Sequence, residues 1–152
     1  LKRLANDHTR LILLSYDDEE KFQTIDKEKW IIQDINTGIP IINKHNTLKY
    51  IPQMLNLDQL NAISFSKGCY TGQEVVARVQ HRGKVKQRLY QIKTESGVVI
   101  SPQEEVKNLD KKVGHVVISK THEDVCFGLA AINISQINND LSVDGKSIKL
   151  IS

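Results

Sequence analysis

The sequence is poor in the features that mark several protein classes. Two cysteines, Cys69 and Cys126, occur in 152 residues, and they are too few and too unlike in setting to form a disulfide framework. That scarcity points to a reducing, cytoplasmic setting. No apolar run approaches the length needed to cross a bilayer, and the first residues show no signal-peptide pattern, so no membrane partner is expected. The five histidines never stand at metal-ligand spacing from one another or from the cysteines, so no metal site is expected. Cys-x-x-Cys pairs, Walker loops and dinucleotide fingerprints are all absent. The only methionine is Met54 and the first residue is Leu1, from which the chain is expected to be part of a longer protein.

What is present is ordinary for a globular chain, with 39% hydrophobic and 26% charged residues. The length suffices for one good-sized core or two small ones. The most distinctive stretch is Lys67-Gly68-Cys69-Tyr70-Thr71-Gly72-Gln73-Glu74, followed by Val75-Val76-Ala77-Arg78. Thr71 and Glu74 stand at the positions of a capping box, and Tyr70 and Val75 at those of a hydrophobic staple, so a helix is predicted to begin here. Cys69 would then lie in front of a helix start, near the positive end of its dipole, with Lys67 and Arg78 at hand. Gly68 and Gly72 allow a tight turn and an open approach to the sulfur. Such electropositive, accessible surroundings are where a cysteine serves as a reagent, although a lone cysteine is in general more often a small buried hydrophobe. Cys126, within an apolar strand-like run, reads as core filling.

Charge is uneven. From Lys67 to Arg88 six basic residues (Lys67, Arg78, Arg82, Lys84, Lys86 and Arg88) face one acid, Glu74, although the whole chain carries only +3. Such a stripe can hold a phosphate, a polyglutamyl tail or RNA, and it can equally be a solvated strand face, since few aromatics interleave to stack on bases.

Around this stretch the pattern is mixed at first and then β. Residues 10–16 read as a buried strand running into the acidic cluster 17–20, a solvated turn. Asp26 can cap a helix holding Trp30, Ile31 and Ile35, stopped by Gly38 and Pro40. On general grounds Trp30, placed on that apolar face, is core. A short helix is predicted over 52–60, and the Cys69 helix is expected to end near Gln80 with a turn over 81–84. Strands are predicted over 85–93, 98–100, 112–119 and 124–134, and Asp144-Gly145 signals a hairpin. The fold class is therefore α+β, with an antiparallel barrel or sandwich from about residue 84 onward. The organisation expected is residues 1–82 as one unit and 83–152 as the barrel.

These residues carry a resemblance. The pattern K-G-C-Y-x-G-Q-E, met at every fixed position from Lys67 to Glu74, resembles the signature of the YgfZ family, tRNA-modifying, iron–sulfur-related relatives of the glycine-cleavage T-protein. Trp30, Asp34-Ile35, Gly38, Pro40, Ile51-Pro52-Gln53, Asn56-Leu57, Arg82-Gly83, Lys86 and Val113-Gly114-His115-Val116 are similar to the same family. The resemblance implies the end of a T-protein-like folate-binding α/β domain followed by a small antiparallel β-barrel. It also implies tetrahydrofolate as cofactor, contacted by Trp30, with Cys69 as the functional thiol. The motif around Cys69 (Lys67, Gly68, Tyr70, Gly72, Gln73, Glu74, Arg78) would support it, and Arg82, Lys84, Lys86 and Arg88 would meet an anion or partner. The role implied is synthesis or repair of iron–sulfur clusters with iron–sulfur proteins or their assembly machinery, among them a tRNA methylthiotransferase. Two alternatives stay open: a tetrahydrofolate-dependent aminomethyltransferase, for which no acid or base can be assigned, and an RNA-binding module using the basic stripe.

Overall fold

Valine, isoleucine and alanine dominate the runs after residue 110, and in the computed structural model they close a barrel. The structure describes residues 26–137 and 140–151, together with the backbone of two short paired strands, β1 (Lys2–Arg3) and β2 (Leu11–Ile12). The strand expected over 10–16 falls within this description only at β2, and the acidic cluster 17–20 lies outside the described residues.

Six further strands follow: β3 (Gln87–Thr94), β4 (Glu105–Asn108), β5 (Lys111–His122), β6 (Val125–Asn133), β7 (Leu141–Val143) and β8 (Lys146–Leu150). They close in the order β3-β6-β5-β4-β7-β8, with every neighbouring pair antiparallel. The fold is thus α+β with a small antiparallel barrel, as the sequence pattern implied. Asp144-Gly145 makes the expected hairpin turn, with φ of 49° and 73°, both positive as a type I′ turn requires. The β5–β6 hairpin turns at Glu123-Asp124, with φ of 48° and 64°, so β5 runs on to His122, further than the pattern predicted, while β6 lies within its expected range. Residues 98–100 do not form the expected strand, although Ile100 is buried in the barrel. Strand β4 was not predicted. Val106 is its only apolar residue, and one buried side chain leaves no alternation to read.

The barrel interior holds Ile92, Val106, Val116, Ala130, Ile132 and Val143, with Cys126 among them as core filling. The outer face of β3, β5 and β6 is buried as well. Leu89, Leu129 and Ala131 point outward, and a bulge in β5 between Val116 and Ile118 lets Val117 and Ile118 join them. Helix α1 (Lys27–Asn36) and the 3₁₀ turn Pro52–Leu55 cover this face with Ile35 and Leu55. Each of these aliphatic side chains removed from water stabilises the fold by roughly 1.5–3 kcal/mol.

Asp26 caps α1 as predicted, its Oδ1 accepting the Glu28 N–H at 2.9 Å. Gly38, at φ +70°, ends it: the Gly38 N–H reaches the Ile35 carbonyl at 3.0 Å and the Ile39 N–H that of Asp34 at 2.8 Å. The helix expected over 52–60 is only the single 3₁₀ turn, because Asn56 enters the left-handed region at φ 57°.

Gly114 is fixed by packing. A Cβ there would stand 2.2 Å from the Ala131 carbonyl oxygen and 3.0 Å from the Ile132 Cα, both backbone atoms of the paired strand. Gly114→Ala is therefore expected to destabilise the protein by about 2 kcal/mol or more. Urea unfolding should show it as a lower midpoint at unchanged slope.

Candidate functional site around Cys69

Glycine sets where the second helix starts. Gly72, at φ +85°, is the residue before α2 (Gln73–Arg82), one position later than the Thr71 cap predicted. Neither the capping box nor the staple forms as expected: no side chain caps α2, Glu74 turns to Arg78, and Val75 is exposed. Gln73 instead reaches back, its Oε1 accepting the Tyr70 N–H at 3.2 Å. The left-handed turn that only glycine adopts freely decided the boundary, and threonine could not supply it. The helix also runs to Arg82 rather than Gln80, so residues 81 and 82 belong to α2 and Gly83 closes it.

Cys69 is exposed on the irregular segment leading into this turn. Its neighbours are organised by one another. The Lys67 ammonium sits 4.8 Å from the centre of the Tyr70 ring, a cation–π contact, and the Lys67 N–H donates to Ser64 Oγ at 3.2 Å. Arg78 pairs with Glu74 at 2.5 Å, one helical turn apart and well exposed. Gly68 needs no glycine on local grounds: its φ is not positive and nothing lies within 4 Å of a Cβ placed there.

The rest of the site is anchored by polar contacts that the sequence did not signal. Gln53, fully buried, donates from Nε2 to the Val76 carbonyl of α2 at 2.8 Å. Asn56 brackets the Leu89 peptide, donating to its carbonyl at 2.7 Å and accepting its N–H at 3.3 Å. Arg88 forms a bidentate pair with Asp58 at 2.6 and 3.0 Å and also donates to the Gln53 carbonyl at 2.9 Å. The side chains of Arg88 and Asp58 are only 19% and 15% exposed. Arg88 thus turns inward, away from the other cations of the basic stripe. Lys84 and Lys86 are exposed, and the Arg82 side chain lies outside the described residues.

Trp30 is 45% exposed, so the expectation that it is core does not hold. The physical reason is helical phase. Ile31 and Ile35, four apart, share the face on the barrel, whereas Trp30 is turned about 100° from Ile31 around the helix. A half-exposed indole offers a flat face on which a planar ring can stack. Trp30 and Cys69 stand on separate elements, α1 and the segment before α2. Among the described residues no group of three or more His, Cys, Asp or Glu could hold a metal ion, and no helix is long and apolar enough to cross a membrane.

Fold and site together define an α+β protein in which an exposed cysteine precedes a glycine-initiated helix, with that helix tied through Gln53 to the segment that packs on a small antiparallel barrel. The comparisons with known proteins agree on which one. Proteins named tRNA-modifying protein YgfZ match it: that of Serratia proteamaculans is 37% identical over 131 residues, 84% of this chain and 38% of that protein. Those of Yersinia pestis and Yersinia pseudotuberculosis are 37% identical over 123 residues, 78% of this chain and 36% of theirs. The chain belongs to the YgfZ family, and it spans less than two fifths of the length of these curated relatives. No family model matches it.

Arg88 and Asp58 give a testable consequence. Burial alone would raise the Asp58 carboxyl, but the Arg88 hydrogen bond and charge, with the backbone N–H groups of Asp58 and Gln59, outweigh it and hold its pKa below the usual value of 3.8. Such a carboxyl stabilises fully above its unfolded pKa and loses that contribution as the pH falls through the lower folded value. Arg88→Ala is expected to cost about 2–4 kcal/mol at pH 7, because it leaves a largely buried carboxylate unpaired. In urea titrations across pH, the stability gap between the parent and Asp58→Asn should hold steady above the carboxylate range and shrink below about pH 4.

Proposed function

We propose that this chain is the thiol-bearing part of a cytoplasmic, folate-dependent protein that makes or repairs iron–sulfur clusters in client enzymes, among them one that methylthiolates tRNA. The observation that carries the proposal is the exposure of Cys69 within the fully matched K-G-C-Y-x-G-Q-E motif, directly ahead of the Gly72 turn and α2. The printed name of the relatives, tRNA-modifying protein, supports the client class.

In this reading Cys69 acts as nucleophile, redox thiol or transient ligand to a cluster in transit. Lys67 and Gln73 hold Tyr70 and thereby shape the segment that presents the sulfur. Trp30 stacks on the pterin of tetrahydrofolate, which when bound supplies a reduced ring able to carry one-carbon units. Lys84 and Lys86 remain for a folate tail or a partner surface, and Arg88 serves the fold instead.

The test is complementation with the intact protein in cells that lack it, with tRNA methylthiolation as readout. Cys69→Ser is expected to abolish rescue at equal expression with the fold preserved, since the residue is exposed and tied to no core contact. Full rescue by Cys69→Ser would sink the thiol role. Trp30→Ala is expected to weaken tetrahydrofolate binding by about tenfold, the size of one lost stacking contact, while Trp30→Phe retains most of it. An unchanged affinity in Trp30→Ala would remove that residue from the pterin site.

A further inference from the structure

Gln53 has no exposed surface, and it uses only one end of its amide. Its Nε2 donates to the Val76 carbonyl of α2 at 2.8 Å, whereas Oε1 is buried with no partner among the described residues. The amide cannot be turned around, since its oxygen would then face the Val76 carbonyl oxygen. As a stabilising device this is poor. The unpaired oxygen offsets what the hydrogen bond contributes, and an apolar side chain of the same length would fill the space without that cost.

What an apolar side chain cannot do is hold a helix at one fixed point. Helix α2 has little else to hold it: Val76 is its only buried residue among those described, and its other described side chains are partly or fully exposed. An apolar contact at one residue is non-directional and leaves a helix free to turn and slide. The Gln53 bond supplies a direction, because it meets the backbone of that same Val76. Its own end is fixed in turn. The Pro52–Leu55 turn packs on the barrel through Leu55, and the Gln53 carbonyl accepts Arg88 Nη1 at 2.9 Å.

From α2 the placement passes on to the thiol through two hydrogen bonds. Gln73, the first residue of the helix, holds Tyr70 at both of its peptide groups. The Gln73 N–H donates to the Tyr70 carbonyl at 3.2 Å, and Gln73 Oε1 accepts the Tyr70 N–H, also at 3.2 Å. That Tyr70 N–H belongs to the peptide that joins it to Cys69, so a rotation or slide of α2 is carried to the Cys69 backbone.

We propose that Gln53 is a positioning residue for Cys69. It fixes the height and rotation of α2 against the segment that packs on the barrel, and α2, through Gln73 and Tyr70, sets where the sulfur stands. The inference rests on the thiol role of Cys69 argued above.

The test is Gln53→Met in the intact protein, a change that removes the hydrogen bond and the unpaired oxygen together while keeping the length of the side chain. The urea midpoint is expected to stay within about 0.5 M of the parent, because the two losses offset. Alkylation of Cys69 by iodoacetamide is followed by mass spectrometry of its peptide from about pH 6 to about pH 9. The rate profile of the folded variant should differ from the parent by about threefold or more, and the two should coincide in urea, where no helix holds the thiol. In the complementation assay Gln53→Met should lower tRNA methylthiolation by about tenfold at equal expression, the effect of a misplaced reacting group. An unchanged alkylation profile in the folded protein overturns the proposal. So does a midpoint lower by more than about 0.5 M, which makes Gln53 a residue of the fold alone. Full rescue by Gln53→Met where Cys69→Ser fails also overturns it and leaves the thiol role standing, whereas full rescue by Cys69→Ser removes the thiol role itself.

Discussion

The Arg88 guanidinium is the constraint on which the arrangement depends. It lies on the first barrel strand and reaches Asp58 and the Gln53 carbonyl, both in the segment between the two helices. Gln53 passes the connection on to α2 through the Val76 carbonyl, and Asn56 ties the same segment to Leu89. A continuous series of hydrogen bonds thus runs from the barrel to the helix that follows Cys69. The series carries a cost: Gln53 Oε1 is buried without a partner among the described residues, and such an atom is disfavoured by about 1–3 kcal/mol. An ion pair at the seam between two apolar cores serves register more than net stability. Arg88 and Asn56 together fix how the 53–58 segment sits on β3.

The barrel is small and yet sits between two hydrophobic regions. Its interior is filled by aliphatic side chains, and its outer wall on β3, β5 and β6 is covered by α1 and the 3₁₀ turn. Strands buried on both faces cannot alternate, which is why β5 and β6 read as near-continuous apolar runs. The β5 bulge adds Val117 to the outer face, and Gly114 lets the two strands approach where any side chain would collide. Helix α1 packs on this supported wall. Its barrel-facing row is fixed by Ile31 and Ile35, and Trp30 is thereby directed partly to solvent.

Around Cys69 the charges have been sorted by partner. Lys67 leans on Tyr70, Arg78 pairs with Glu74, and Arg88 is committed to Asp58, so a stripe that looks uniform in sequence is divided in space. A surface pair such as Arg78–Glu74 holds its partners only loosely, worth about 0.3–0.5 kcal/mol for helical neighbours. The Arg88 pair is far less accessible and does not exchange freely with a ligand.

Local chemistry was legible in the chain itself. The Asp26 cap, the Gly38 stop and the Asp144-Gly145 hairpin depend on a few adjacent residues, and Cys126 as core and the barrel as fold class follow from apolar runs and turn signals. The eight residues from Lys67 to Glu74 pointed by themselves to the family. What local pattern could not decide was set by contacts distant in sequence. Trp30 left the core because the barrel selected the Ile31–Ile35 row. Strand β4 formed because β5 and β7 offered edges to a segment with a single buried valine, and the Thr71 cap gave way to the Gly72 turn. Arg88, one cation among six by sequence, became a structural residue because Asp58, thirty positions earlier, meets it. The sequence determined which elements could exist and which thiol to watch; tertiary packing decided which faces they show, because burial and ion pairing are properties of partners brought together only by folding.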